Sequence, residues 1–189
     1  MSEPYIPMLA LGAAKEAAKQ VKMSEVVAEL NIFRILLHHP YLAKNINDMI
    51  MNLIFRGKLA PRLRELIIMR LGWSTRSVYE WTQHWPIALD SDLSEEEVLA
   101  VRNWQSYPGW CDLDRAVLSA TDETVTSGAI SSTTMETCTQ LLSDKQELLE
   151  MIAAIGTWRM ISQVLRSLEV PLEEGKESWP PDGLSPDTV

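Results

Sequence analysis

The chain has 189 residues, of which 46% are hydrophobic, and this suits one domain with a single core. Its formal net charge of −9 argues against binding to nucleic acid or to an anionic membrane surface, because both need a basic face. We therefore expect the partner to be a small-molecule substrate or another protein.

The two ends of the chain and its cysteines predict a cytoplasmic protein. The N-terminus carries Glu3 and two prolines instead of the basic start and long apolar run of a signal sequence. No stretch approaches the roughly 18 apolar residues of a membrane span. Cys111 and Cys138 lie far apart and form neither a disulfide framework nor a CxxC pair, so we expect two reduced, partly buried core residues.

Apolar residues recur at helical spacing along most of the chain, and capping and helix-breaking residues divide it into segments. Sustained alternation of apolar and polar residues does not occur in the sequence, so the predicted fold class is all-α. We predict helices over 9–22, 24–39, 41–55, 61–71, 78–89, 94–101, 113–124, 131–142 and 144–168.

Three of these predictions are specific enough to check in detail. Ser94 and Glu97 have the spacing of a capping box, so a helix should begin there. His38 and His39 follow the second helix, where the helix dipole favours cationic side chains. The helix over 144–168 is the longest and most strongly periodic segment, and we expect it to be central and nearly all buried.

Composition divides the chain into three parts. Residues 1–23 form an N-terminal arm with a peripheral helix, and residues 24–172 form the helical domain. Residues 173–189 are rich in Glu, Asp, Pro, Gly and Ser, so we expect an acidic, Pro-rich tail that is extended or disordered.

The segment 59–84 concentrates the residues that can carry out chemistry. Ser77, Glu80 and His84 fall on one face of a helix, and Glu80 can reach His84 across one turn. Such a contact orients the imidazole and raises the pKa of His84, and Glu65 on the preceding helix is a fourth candidate. The alternative is an ordinary pair of oppositely charged residues on a helix surface.

Other residues near this face predict a binding pocket. Tyr79 and Trp81 are aromatic side chains that would line a small-molecule site. Arg70, on the preceding helix, is a candidate clamp for a substrate carboxylate, or else it pairs with an acidic neighbour. We do not expect a metal site, because no second histidine lies at helical spacing from His84. A nucleophilic role for Ser77 lacks a GxSxG-type turn.

At these residues the chain resembles the carboxymuconolactone decarboxylase family, within the alkylhydroperoxidase D-like superfamily. The resemblance spans roughly residues 25 to 175 and is carried by the following segments: NIFR at 31–34, HP at 39–40, LRELIIMR at 63–70, YEWTQH at 79–84, LSEEEV at 93–98 and VPLEEG at 170–175. It implies an all-α, alkylhydroperoxidase D-like fold and a homo-oligomer, either a trimer or a hexamer, with sites near the subunit interfaces.

Peroxidases of this superfamily use a glutamate, a CxxC pair and a following histidine. By this resemblance Glu65 matches the glutamate, Ser77 and Glu80 occupy the two cysteine positions, and His84 matches the histidine. Without either thiol there is no disulfide to cycle, so thiol peroxidase activity is not expected. The proton-handling residues remain.

We therefore expect a cofactor-independent lyase or isomerase that uses general acid–base chemistry on a small oxo-acid or lactone. In this scheme His84, oriented by Glu80, transfers the proton, Glu65 tunes it, and Ser77 or Tyr79 donates a hydrogen bond to the developing oxyanion. The alternative is a non-catalytic helical oligomer that binds a hydrophobic metabolite or a partner protein.

Overall fold

The computed structural model describes residues 5–142 and 144–188, so residues 1–4 of the predicted arm and residue 189 of the predicted tail lie outside it. The described residues contain helices and no strand, which confirms the predicted all-α class. The α-helices are α1 Leu11–Gln20, α2 Asn31–Leu36, α3 Pro40–Phe55, α4 Pro61–Ser74, α5 Val78–Leu89, α6 Glu95–Ala100, α7 Asp112–Ser127, α8 Ser132–Leu141 and α9 Lys145–Ser167. Two 3-10 helices span Val27–Glu29 and Val101–Ser106.

The helix at the centre of the fold is α4. It carries apolar residues on every side, as expected for a helix surrounded by others, and it packs against α5, α7 and α9. Gly72 lets α5 come close, because a Cβ at this position would lie 3.1 Å from the backbone nitrogen of Trp81. This close approach brings the side chains of α4 and α5 together, and the candidate site lies there.

Helix capping explains the boundaries that sequence predicted best. The helix α5 spans the predicted residues, and Ser94 and Glu97 form the predicted capping box at the start of α6. The predicted helix over 24–39 was wrong, because Leu30 is extended and separates a 3-10 turn from α2. His39 caps the start of α3 through its Nδ1, which accepts the backbone N–H of Leu42 at 3.2 Å.

The longest helix, α9, is less buried than predicted. One side covers α4 and α7 with residues such as Met151 and Ile155, while Leu149, Ile152 and Met160 are 67%, 38% and 39% exposed. By length and composition α9 is apolar enough to cross a membrane, but its buried side belongs to the hydrophobic core shared with α4, α7 and α8.

The two cysteines are free and differ in environment. Cys138 is buried in α8, as predicted. Cys111 is exposed just before α7, so the prediction that it is a partly buried core residue was wrong.

The C-terminal segment after α9 has no helix or strand among its described residues, and it packs on the helical domain. Trp179 lies edge-on against Trp73 with ring centroids 5.8 Å apart. The indole N–H of Trp81 donates to the carbonyl of Pro180 at 2.8 Å, and Arg102 forms a two-fold ion pair with Asp182 at 2.7 and 2.9 Å. The segment therefore covers the side of α5 that faces away from α9.

Candidate functional site

A cavity of about 260 Å³ lies between α2, α3, α5 and α9. Leu30 and Ile87 are 38% and 42% exposed and mark its mouth. Its wall is apolar apart from a few polar groups of α5 and the indole N–H of α9. The lining residues are Val27, Leu30, Ile32, Phe33, Ile50, Met51, Ile54, Tyr79, Glu80, Gln83, His84, Ile87, Trp158 and Ile161.

The imidazole of His84 is bound from below by a buried ion pair on α4. Its Nδ1 lies 2.7 Å from Oε2 of Glu65, and the Nε of Arg64 donates to the other oxygen of Glu65 at 3.0 Å. Glu65 and Arg64 are 0% and 5% exposed. Because each oxygen of the carboxylate has a fixed partner, the carboxylate holds the imidazole ring in one orientation.

The other ring nitrogen, Nε2, faces the cavity. The indole N–H of Trp158 donates to it at 3.3 Å, and an oxygen of Glu80 lies 3.5 Å away without a hydrogen bond. An acceptor at Nε2 places the proton of the neutral imidazole on Nδ1, where it is donated to Glu65. The prediction that Glu80 orients His84 was therefore wrong, because packing of α4 against α5 gives this position to Glu65.

The three ionisable groups perturb one another. Burial raises the pKa of Glu80 to about 7, with the charge of Glu65 adding to the effect and that of His84 opposing it. Burial by itself lowers the pKa of His84, but the charge and hydrogen bond of Glu65 outweigh it, so the pKa is raised. Burial acts against Glu65, but His84 and Arg64 together lower its pKa. At neutral pH Glu65 is ionised, and Glu80 and His84 hold a proton that either can carry.

A carboxylate from the C-terminal segment binds the polar end of the wall. Glu173 accepts hydrogen bonds from the hydroxyl of Tyr79, from the side-chain amide of Gln83 and, at 3.0 Å, from the backbone N–H of Asn31. Burial and then the hydrogen bond and charge of Glu173 raise the pKa of Tyr79. Tyr79 therefore stays protonated, and its hydrogen is directed at Glu173 and away from the cavity.

Three predicted site residues do not line this cavity. Ser77 is 1% exposed at the start of α5 and faces a different groove, formed with the end of α9. Trp81 is fully buried among Trp73, Trp85 and Trp179. The predicted carboxylate clamp at Arg70 is wrong for this cavity.

Arg70 has partners of its own on the other side of α4. Its Nε and Nη2 donate to the two oxygens of Asp122 at 2.6 and 2.9 Å, and its Nη1 donates to the carbonyl of Val101 at 2.8 Å. These bonds occupy the planar face that a substrate carboxylate would need.

Sequence reasoning missed four residues that shape the site: Arg64, Gln83, Trp158 and Glu173. Gln83 lies one turn after Tyr79, so helical spacing alone could have found it. Trp158 and Glu173 meet α5 only through packing across 74 and 90 residues of sequence, and no local pattern signals such contacts.

The described residues offer no competing chemical site. A larger groove of about 700 Å³ runs along the exposed side of α9, and its lining includes Arg159 but neither a carboxylate nor an imidazole. Within residues 5–142 and 144–188, no three His, Cys, Asp or Glu side chains are placed to hold a metal ion together.

Comparison with known proteins places the site in a family. Residues 40–123 match the model of the carboxymuconolactone decarboxylase family, and this range includes Glu65, Glu80 and His84. Among curated proteins no sequence matches the chain.

Solved structures share the fold at low identity. A peroxidase-related protein with an alkylhydroperoxidase AhpD core from Ralstonia eutropha is 14% identical, with a TM-score of 0.73 over 92% of this chain and 94% of that one. An AhpD-type protein of unknown function from Agrobacterium tumefaciens is 20% identical, with a TM-score of 0.65 over 71% of this chain and 92% of that one.

A third similar structure is the debrominase Bmp8, solved with 2,3,4-tribromopyrrole, for which no organism is given. It is 16% identical, with a TM-score of 0.66 over 76% of each chain. At such identities these structures establish the fold and nothing finer. Together with the match over 40–123, they show that the chain belongs to the carboxymuconolactone decarboxylase family and has the alkylhydroperoxidase D-like fold.

Proposed function

We propose that the chain is a cofactor-independent lyase or isomerase that acts by general acid–base chemistry on a small oxo-acid or lactone. One observation carries this proposal. His84 presents a ring nitrogen to an apolar cavity, with ionised Glu65 behind it and Glu80 beside it. A base whose conjugate acid is stabilised by a buried carboxylate, next to a group that titrates near neutrality, suits proton transfer.

In the proposed reaction Nε2 of His84 removes a proton from a carbon next to the substrate carbonyl. The imidazolium that forms is stabilised by Glu65, whose carboxylate already accepts the Nδ1 proton. Glu80, protonated in part because its pKa is about 7, donates to the developing oxyanion or returns the proton to carbon. Trp158 aligns the ring while it is neutral.

The structure changes one role in the predicted scheme. Tyr79 donates its hydroxyl to Glu173, and Ser77 does not line the cavity, so neither is placed to bind the oxyanion. The amide of Gln83 has two N–H groups and uses one for Glu173, which leaves one for the substrate. Gln83 replaces them as the neutral donor in the proposal.

Thiol chemistry is not part of the proposal, although peroxidase-related proteins are among the similar structures. Cys111 and Cys138 lie at the start of α7 and in α8, and neither lines the cavity. A disulfide relay needs two thiols in contact at the reacting site.

A second candidate function is supported by the character of the wall. Most of the lining side chains are apolar, and the ion pair of Arg64 and Glu65 is fully internal. A non-catalytic protein that binds a hydrophobic metabolite would have the same wall, and His84 would then be a structural residue.

Hydrogen exchange at carbon separates the two candidates. Wild-type protein in D2O should exchange the hydrogens next to the carbonyl of a substrate from a panel of small lactones and oxo-acids, followed by proton NMR. His84→Ala should slow this exchange by about 100-fold or more, while His38→Ala, which changes an exposed histidine, should keep the wild-type rate.

Full exchange activity in His84→Ala would refute the acid–base proposal. Absence of exchange in the wild type, with a melting temperature several degrees lower in His84→Ala, would instead favour the binding function.

We also infer a homo-oligomer, a trimer or a hexamer, in the cytoplasm. Large apolar side chains on α3 and α9 support the oligomer, since Phe55 and Leu149 are 75% and 67% exposed. Two unpaired cysteines are consistent with a reducing compartment.

A further inference from the structure

The wall of the cavity contains no cation that a substrate could use. None of the described residues that line it is a lysine or an arginine. The nearest guanidinium, that of Arg64, lies behind Glu65 and donates to Glu65 at 3.0 Å and to the carbonyl of Ile54 at 3.2 Å. At 5% exposure it cannot turn toward the cavity without leaving Glu65 unpaired.

The charges around the cavity already balance. Arg64 and Glu65 cancel each other, and Glu80 and His84 hold one proton between them, which makes that pair neutral in either arrangement. Glu173 adds a negative charge beside Tyr79 and Gln83. A substrate carboxylate would enter a site whose remaining field is negative.

Burial makes this mismatch decisive. Glu80 and His84 have side chains that are only 5% and 12% exposed, so a ligand that touches them loses most of its water. An unpaired carboxylate is strongly disfavoured in such a place, whereas a neutral carbonyl oxygen needs only hydrogen-bond donors such as Gln83 and protonated Glu80. The volume of about 260 Å³ lies below the range of drug-sized pockets and fits a small molecule.

We propose that the cavity binds a small, uncharged carbonyl compound, such as a lactone or a cyclic ketone, and excludes the corresponding carboxylate. This inference rests on the proposed function and narrows it. Decarboxylation needs a carboxylate that leaves as CO2, so the favoured reaction is an isomerisation. One proton leaves a carbon next to the carbonyl and one returns at another carbon, so bonds and electrons balance without a second reactant.

A matched pair of probes tests the preference. Cyclohexanone and cyclohexanecarboxylate share a ring and differ in charge, and binding is followed at pH 7 by NMR shifts of the Trp158 indole N–H, assigned with Trp158→Phe. Cyclohexanone should give saturable shifts, and the carboxylate should bind at least about tenfold more weakly. Equal or tighter binding of the carboxylate, or no saturable shift with cyclohexanone, would overturn the proposal.

A charge-adding variant tests the cause. Ile87→Arg places a cation at the mouth of the cavity, outside the acid–base groups, and should strengthen carboxylate binding about tenfold while changing cyclohexanone binding by less than about threefold. Leu184→Arg adds the same charge on the exposed C-terminal segment and should change neither. If the two variants behave alike, the wall charge does not set the preference.

The two levels of proposal fail separately. A carboxylate preference combined with His84-dependent exchange would overturn only the neutral-substrate inference. A neutral preference combined with full exchange activity in His84→Ala would overturn only the catalytic role of His84.

Discussion

At His84 the two ring nitrogens meet opposite demands. Glu65 at Nδ1 favours the imidazolium, whereas the indole N–H of Trp158 at Nε2 favours the neutral ring. When Nε2 takes a proton, that N–H must turn to another acceptor, and Glu80 lies 3.5 Å away. Protonation of one ring therefore rearranges the contacts of two neighbours, which is how the site can couple a proton to a bound molecule.

An NMR titration of the three histidines should show the unequal roles of the two carboxylates. The pKa of His84 should lie above its usual 6.5, and Glu65→Gln should lower it more than Glu80→Gln does, because Glu65 supplies both a charge and a hydrogen bond. Glu177→Gln, on the exposed tail, is the control. A larger effect of Glu80→Gln would show that Glu80 is the main partner.

Stability should fall as pH rises because Glu80 is buried. Its folded pKa of about 7 lies above the ordinary 4.5, so its contribution is complete below pH 4.5 and is lost as pH rises through 7. Relative to Glu80→Gln, the wild type should lose about 2 kcal/mol of unfolding free energy between pH 5.5 and 8.5. Urea unfolding of both proteins at the two pH values measures this.

The exposed variant Glu177→Gln should follow the wild type at both pH values. A constant difference between wild type and Glu80→Gln would mean that Glu80 does not titrate in this range.

Helical spacing predicted part of this site and could not predict the rest. It placed Glu80 and His84 on one face, and the structure keeps them together. It could not rank Glu65 above Glu80, because a hydrogen bond between two helices depends on how closely they pack. Arg70 seemed available for a ligand only because its partner Asp122 lies 52 residues away.

At the scale of elements, α5 is held from several sides. Gly72 brings it against α4, Trp158 reaches it from α9, and the C-terminal segment covers its remaining side through Trp179. Because Glu80, Gln83 and His84 all project from this one helix, the position of α5 sets the geometry of the site.

Removing the indole of the C-terminal segment should loosen this arrangement. Trp179→Ala deletes a half-buried ring in contact with Trp73 and Trp81 and should cost roughly 2 kcal/mol, which lowers the melting temperature by about 4–8 °C. Leu184→Ala, at a side chain that is 43% exposed, should change it by less than about 2 °C. Equal effects of the two changes would show that the segment does not brace α5.

Elements with local signals were predicted well, and those set by distant contacts were not. Ser94 with Glu97 and the left-handed Gly128 define helix ends through their own neighbours. The chain breaks at Leu30 so that the side chain of Asn31 can donate to the carbonyls of Pro171 and Leu172, both at 3.2 Å. The division into 1–23, 24–172 and 173–189 stays a prediction.

At the scale of the whole molecule, the distribution of apolar surface is uneven. Tyr41 and Phe55 on α3 are 72% and 75% exposed, and Leu149 with Met160 forms an apolar stripe along α9. Isolated exposed apolar residues are ordinary, but a stripe on the longest helix is typical of a surface that another chain covers.

Light scattering coupled to size exclusion should therefore give three or six times the chain mass of 21.4 kDa. The double change Leu149→Asp with Ile152→Asp should shift the mass toward one chain, because it buries charges in an apolar interface. Leu184→Asp, an exposed leucine on the C-terminal segment, should not. A wild-type mass of a single chain would refute the oligomer.

The bonds of Glu173 also bear on the order in which the protein becomes complete during its synthesis. Its carboxylate joins the backbone of Asn31 to two side chains of α5, so both earlier segments leave the ribosome well before their partner does. A nascent chain folds from its N-terminus as it is made, so the helices can assemble first. Tyr79 and Gln83 find their acceptor only when translation is nearly over, and an unfinished chain therefore holds an unfinished pocket.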